Sequence, residues 1–447
     1  MKLNREILRL AVPSILANIT VPLVGMVDLA VVGHLDGEGG FAAATLLGGI
    51  AIGTTIFDLV YWCFGFLRAG TGGVTAQAFG RGDNRAQAEA LCRSLAIALA
   101  AGLLLIAMQW LIVQGAFLFI KCSAEVRKLA EQYFYIRIWA APATLGLFAL
   151  RGWFIGMQNS VHSMATDLVV NAVNIVFSIV LGFGLAFFPR MGFRGVAVGT
   201  LIAQWTGLSF ALAVVLLRYR KVFAGYALRE AFSGSLRPFF AMNRDLFLRS
   251  LGLIAVYIGF TAISARYGDM MLAVSAILMK LLMIFSYFTD GFAYAGEALT
   301  GRFIGERSRE GLQGAVRGVF LWSFALSVIF IGVYWIGGTP LFRLMTSDEA
   351  VVEAGKQFLP WLLVMPLIGC PAFIWDGIFI GATASRDLRN STLLCALGFF
   401  AVWSAGRAAA GSAVSNETAI HILMAAYFVH LAIRAIYLTL RHKTIKI

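Results

Sequence analysis

Charge is scarce in this chain. Asp, Glu, Lys and Arg make up only 13% of it, against roughly 25% in a soluble domain, while 60% is hydrophobic and the mean hydropathy is +0.82. Such a composition excludes an ordinary water-soluble globule. Reactive chemistry is equally thin. The five cysteines, Cys63, Cys92, Cys122, Cys370 and Cys395, form no CxxC pair, and four lie in apolar runs where a thiol serves as a small hydrophobic filler. The five histidines lack metal-ligand spacing, and His421 and His430, nine residues apart, fall on roughly opposite faces of a helix. No GxxxxGK[ST] loop is present, which argues against ATP-driven work by this chain. With no grouping of His or Cys to supply a nucleophile and its base, the sequence points away from an enzyme. It calls for no metal and no organic cofactor.

What the chain has in abundance is long apolar runs. A bilayer core takes about 20 residues of helix. Twelve runs are long enough, near 7–33, 42–66, 88–118, 130–156, 166–188, 195–218, 246–266, 270–300, 314–337, 357–382, 392–410 and 417–440. They far exceed the strands of a membrane barrel, so helices must satisfy the backbone. The fold class is an all-α membrane protein with twelve transmembrane helices.

The chain also says nearly the same thing twice. Gly65-Phe66-Leu67-Arg68-Ala69-Gly70, running on to Gly80, returns as Gly291-Phe292-Ala293-Tyr294-Ala295-Gly296, running on to Gly305. Arg151-Gly152-Trp153-Phe154-Ile155-Gly156 returns as Asp376-Gly377-Ile378-Phe379-Ile380-Gly381. Leu3-Asn4-Arg5-Glu6 returns as Met242-Asn243-Arg244-Asp245. Half-chain echoes in a constant order indicate a duplicated unit. The reading is two pseudo-symmetric six-helix lobes, 1–218 and 244–447, joined by an Arg-rich cytoplasmic linker at 219–243. Six is even, so the lobes are related by an axis along the membrane normal, an arrangement used by secondary transporters.

The net charge of +13 raises the possibility of nucleic acid, but its placement speaks against it. Basic residues gather at Lys2/Arg5, Arg81/Arg85, Arg218 to Arg244, Arg302/Arg307/Arg309, Arg386/Arg389 and Arg441 to Lys443, which fall on one side if the spans alternate. The first loop on the other side carries Asp36 and Glu38 and no Lys or Arg, although Lys121, Arg127 and Lys128 break the pattern later. The positive-inside rule then puts both termini in the cytoplasm. The opening run contains Pro13, Pro22 and Asp28 and is too long for a cleaved signal, so it reads as the first span.

Charges left inside lipid are costly and mark chemistry. Asp28 follows Pro22, a residue able to kink the helix, and a carboxylate in low dielectric can pick up a proton at physiological pH. In the fifth span Asp167, Asn171, Asn174 and Ser178 recur at i, i+4, i+7 and i+11 on one face, lining either a wet cavity or a helix–helix contact. The expectation is that Asn171 and Asn174 hydrogen-bond to Asp28. The second lobe offers Asp290, Glu297 and Asp376 as secondary candidates, with Glu297 a possible structural partner of Arg302. Arg68 and Arg151 read as structural counter-ions for these acids, while Asp58 and Lys280 have no partner that the sequence names. By letters, Arg151 aligns with Asp376 and Thr71 with Glu297.

Four separated motifs support a resemblance covering essentially the whole chain. They are Pro22-Leu23-Val24-Gly25-Met26-Val27-Asp28 through Leu35, Phe66-Leu67-Arg68-Ala69-Gly70-Thr71-Gly72-Gly73 with Thr75 to Gly80, Asp290 to Glu297, and Asp376 to Ala382. In these the chain resembles the multidrug and toxic compound extrusion (MATE) family, and within it the DNA-damage-inducible protein F (DinF-like) branch. The resemblance implies twelve helices in two lobes and export of organic cations and other amphipathic compounds, driven by proton or sodium gradients. It matches the family's first-span acid to Asp28, its fifth-span Asn to Asn174 and its tenth-span acid to Asp376. Many relatives carry an Asp where Ser178 stands here.

The expected function is an ion-coupled antiporter, using H+ or Na+, that exports amphipathic and often cationic toxic compounds by alternating access. It would work as a monomer among membrane lipids in a bacterial inner membrane. The rival is a flippase for a lipid-linked or lipid-like substrate, which needs several Arg or Lys in its cavity. Counted from sequence, intramembrane cations look few and acids at least as many, which favours cationic or neutral cargo.

Overall fold

Lipid offers the backbone no hydrogen-bond partner, so each crossing closes its own bonds as a helix. The computed structural model describes residues 2–35, 40–185, 187–233, 236–411 and 415–445. The loop acids Asp36 and Glu38 lie outside the described residues. Twelve helices are long and apolar enough to cross a membrane: α1 (Lys2–Gly33), α2 (Ala43–Gly80), α3 (Asn84–Ala107), α4 (Ala124–Gly156), α5 (Ser160–Phe183), α6 (Gly192–Arg218), α7 (Arg237–Tyr267), α8 (Asp269–Gly305), α9 (Arg309–Met345), α10 (Leu359–Gly381), α11 (Ser385–Ala410) and α12 (Asn416–Thr444). Each coincides with one of the apolar runs. Two ends differ for local reasons. Gly184, at φ 72°, stops α5 where the apolar run continues to 188. The run at 88–118 divides at Met108 into α3 and a short helix, Gln109–Phe119.

The chain forms two compact units, Leu16–Leu236 and Arg237–Ile447, the latter joined by Met1–Ile15. Helix α1 is therefore shared, and its first turns belong with the second half of the sequence. There Glu6 pairs with Arg302 at 3.1 Å, and a Cβ added at Gly318 would meet Ile7 at 2.6 Å. The segment after α6 folds onto the first unit, where Arg93 donates to the Ala231 carbonyl at 2.6 Å and Arg85 pairs with Glu230 at 2.9 Å.

Aromatic packing fills the first unit. Phe57 stacks on Phe134 with ring centroids 4.7 Å apart, and Trp153 donates its indole N–H to the Gln87 carbonyl at 2.9 Å. Lipid tails are as apolar as these side chains, so association rests on close fit and hydrogen bonds rather than on escape from water.

The duplication is physical as well as textual. In α4, a Cβ at Gly152 would strike the Arg68 carbonyl of α2, and one at Gly156 would meet Thr75 at 2.6 Å and the Gly72 carbonyl at 2.7 Å. In α10, a Cβ at Gly377 would strike the Ala293 carbonyl of α8, and one at Gly381 would strike the Glu297 carbonyl. Both pairs of helices meet backbone to backbone. The turns repeat too: Gly82 (φ 67°) after α2 answers Arg307 (φ 57°) after α8, and Gln158 (φ 58°) after α4 answers Thr383 (φ 55°) after α10. This contact frame puts Gly72, not Thr71, opposite Glu297. The later letters Thr75/Thr300 and Gly80/Gly305 already keep this contact register, one residue off the match at Gly65/Gly291.

A branched residue at these contacts has no room. Gly377→Val is expected to lower stability by about 3 kcal/mol or abolish the folded protein, whereas Gly25→Ala, with nothing within 4 Å of the new Cβ, leaves it unchanged. Thermal unfolding and size-exclusion profiles in detergent check both.

Candidate functional site

Helix α1 carries Asp28 six residues after Pro22, which removes one rung of the helical ladder. The carboxylate is 7% exposed and accepts a hydrogen bond from the Ser178 hydroxyl at 2.8 Å. Asn174 is its next hydrogen-bonding neighbour, and Arg137 is its electrostatic counter-charge at longer range. Among the described residues no cation forms an ion pair with Asp28.

Asn171 does not join this group. Its amide donates to Thr20 at 2.7 Å. The reason is the helical rise. Asn171 and Ser178 are seven residues apart on α5, about 10 Å along the axis. Thr20 and Asp28 are separated by a similar distance on α1, so two parallel helices match Asn171 to Thr20 and Ser178 to Asp28. Asn174 lies between them, donating to Thr200 of α6 at 2.9 Å. Its amide oxygen is buried with no hydrogen-bond partner among the described residues. Ser178 is thus the residue that holds Asp28.

Arg137 of α4 went unnoticed in the sequence. Its guanidinium donates to the Tyr133 hydroxyl at 3.0 Å, stands 4.8 Å over the Phe57 ring, and feels both Asp58 and Asp28. This aromatic-lined cation acts on both acids electrostatically, and it forms no ion pair with Asp28 among the described residues. Asp167 is engaged elsewhere, in an ion pair with Arg151 at 2.5 Å. Arg151 is a counter-ion as expected, but of the acid on the next helix rather than of the second-lobe acids.

The second unit is organised around Asp376. Arg249 of α7 reaches its Oδ2 at 2.5 Å, and Arg434 of α12 reaches Oδ1 at 3.0 Å through Nε and Oδ2 through Nη2. Arg434 is 4% exposed and also interacts electrostatically with Asp290. Arg249 and Arg434, rather than Arg68, are the counter-ions of Asp376, and Arg68 belongs to the other unit. Arg302 forms its ion pairs with Glu306 at 2.7 Å and with Glu6, so the pairing expected with Glu297 gives way to these. Glu297 is fully buried on α8 beside the contact with Gly381. Arg137, Arg249 and Arg434 all lie inside apolar runs of the sequence. Counting charged letters within those runs finds them, and shows eleven cations against nine acids.

The two carboxylate sites differ chemically. Two guanidinium groups already compensate Asp376, which makes it a tether of α7, α10 and α12. Asp28 is held by a hydroxyl and an amide, so a proton or an arriving cation can supply its missing charge. No three His, Cys, Asp or Glu cluster as a metal site among the described residues.

Breaking a buried ion pair leaves one charge stranded. Arg151→Met is expected to destabilise the protein by about 3 kcal/mol, and adding Asp167→Leu is expected to recover most of that loss. Denaturation of the two variants in detergent reads this directly.

The MatE family model matches residues 13–180 and 246–404. DNA damage-inducible protein F of Escherichia coli (strain K12) is 36% identical over 89% of this chain and 84% of its own length. A probable multidrug resistance protein NorM of Thermotoga maritima is 23% identical over 90% of this chain and 84% of its own. Among solved structures, MATE in the straight conformation superimposes with a TM-score of 0.83 at 18% identity, covering 99% of this chain and 97% of that one. An outward-facing multidrug resistance MATE family transporter of the MOP superfamily gives 0.83 at 18% identity, covering 100% and 97%. The duplicated helical frame, the acid on α1 and a match spanning both halves lead to one assignment: the chain belongs to the multidrug and toxic compound extrusion family of membrane transporters.

Proposed function

We propose that this transporter is a proton-coupled antiporter, with Asp28 as the coupling carboxylate, that exports amphipathic and often cationic toxic compounds by alternating access. The observation that carries this reading is Asp28 itself: a buried carboxylate held by Ser178 and neighboured by Asn174, with no cation in contact among the described residues. Proton binding and cargo binding are then alternative ways to neutralise one charge. Taking up a proton weakens the pull on a lipophilic cation and turns an acceptor from Ser178 into a group that can donate. Pro22 lies six residues earlier, where the helix is easiest to bend in response. Asn174 and Ser178 set the orientation of the acid, while Asn171 and Thr20 lock the two helices in register. Aromatic side chains add cation–π attraction of roughly 0.5–2 kcal/mol per contact, which demands little exact geometry and so favours broad specificity.

The reading places the protein in a bacterial inner membrane, active as a monomer, with both termini and the segment 219–243 in the cytoplasm. The names of the relatives, multidrug resistance protein among them, agree with efflux. A flippase for a lipid-linked or lipid-like substrate is the second reading. It gains support from Lys280, an intramembrane cation that forms no ion pair among the described residues.

In vesicles with an imposed pH gradient, Asp28→Asn is expected to fold normally yet lose at least about 90% of gradient-driven uptake of a phenanthridinium dye. Parental rates from that variant overturn the assignment, and a sodium gradient that drives uptake without a pH gradient replaces the proton by sodium. Ser178→Ala, which removes the hydrogen bond but keeps the acid, is expected to slow uptake severalfold and shift its pH dependence. Cells lacking the protein should retain more dye; unchanged retention across several unrelated cations favours the lipid-like substrate.

A further inference from the structure

A cavity of about 110 Å³ opens between α7 and α8, in the unit that holds Asp376. One water needs about 10–15 Å³ by the same measure, so the space admits a polar headgroup with several methylenes. None of its lining residues belongs to the carboxylate sites described above. Helix α7 contributes Phe260 and Thr261, and α8 contributes Ser275, Met279, Lys280 and Met283, which form a stripe along one side of that helix.

Two polar groups in this lining have no partner among the described residues. Ser275 is 1% exposed, and its hydroxyl makes no hydrogen bond among the described residues. Thr261 differs, donating to the Tyr257 carbonyl at 3.1 Å in the way helix hydroxyls usually do. Lys280 forms neither an ion pair nor a hydrogen bond among the described residues. It lies eleven residues into α8, about 16 Å along the axis from Asp269. Its side chain is exposed where it lines the cavity, so a ligand there meets an ammonium that no acid compensates among the described residues.

We propose that this cavity binds the head of an acidic amphiphile. Its carboxylate or phosphate oxygens sit against the Lys280 ammonium and the Ser275 hydroxyl, and its aliphatic chain lies along Phe260, Met279 and Met283. The charge sets the sign of the ligand, since a cation would be repelled and a neutral molecule would leave Lys280 uncompensated. The methionines set its tolerance, because an unbranched thioether repacks around chains of different shape. This site is independent of Asp28 and of the coupling mechanism. It gives the second half of the duplicated chain a preference opposite to that of the first.

The test is thermal unfolding of the full-length protein in maltoside micelles with added dodecanoate, dodecanol or dodecyltrimethylammonium. Dodecanoate is expected to raise the midpoint, with the alcohol and the ammonium giving no comparable shift. Lys280→Met is expected to weaken dodecanoate binding about ten- to a hundredfold, as loss of a charge-assisted hydrogen bond does. Lys280→Arg should keep most of the affinity and so shows that a loss in Lys280→Met is not misfolding, while Ser275→Ala should weaken binding severalfold. A parallel titration with phosphatidylglycerol separates sources: competition with dodecanoate makes the occupant a lipid headgroup, and its absence makes it a free single-chain acid. Equal stabilisation by dodecanol, or an undiminished preference for dodecanoate in Lys280→Met, overturns the proposal.

Discussion

Hydrocarbon gives an ionised side chain nothing to bond with, and that constraint orders the interior of this protein. Every intramembrane acid whose contacts are described here is held by something specific. Asp167 is taken by Arg151, Asp376 is clamped by Arg249 and Arg434, and Asp28 rests on the Ser178 hydroxyl. The manner of compensation differs among them. A carboxylate between two guanidinium groups joins helices, and opening it strands three charges. A carboxylate on a hydroxyl has no such clamp.

Close backbone approach is what allows those side chains to meet. Gly152 and Gly156 let α4 lie against α2, and Gly377 and Gly381 let α10 lie against α8. With no water to expel from between the helices, contact area must come from fit, and the glycines provide it. Selection on this frame explains why the glycines and the left-handed turns at Gln158 and Thr383 recur while the charges have diverged. Arg151 and Asp376 occupy matching places with opposite sign, because each had only to find a local partner. The frame is shared, and the electrostatics belong to each unit alone.

In this member of the multidrug and toxic compound extrusion family, the hydroxyl-held acid Asp28 lies in the first unit and the Asp376 ion-pair network in the second. Ser178 illustrates how little change alters a site. Its hydroxyl meets Asp28 with a hydrogen bond where a charged side chain would meet it with an ion pair or a repulsion. The second unit sets Arg249, Arg434 and Lys280 among the acids Asp290, Glu297 and Asp376.

Much of this was legible in the sequence, for identifiable reasons. Twelve helices follow from apolar run length against bilayer thickness, a one-dimensional property. The duplication follows from letters that repeat, and the candidate acid from a charge stranded in an apolar run. Which partner meets which acid was not legible. Asn171 and Ser178 share a helical face, yet only Ser178 reaches Asp28, because the relative height of α1 and α5 decides it. Arg249 and Arg434 are separated from Asp376 by 127 and 58 residues, and no local pattern links them. The sequence also gave no sign that the first turns of α1 belong with the second half of the chain. Periodicity and composition act along the chain and are written in it. Helix height, rotation and the choice of counter-ion are set by packing between helices distant in sequence, and only the tertiary structure decides them.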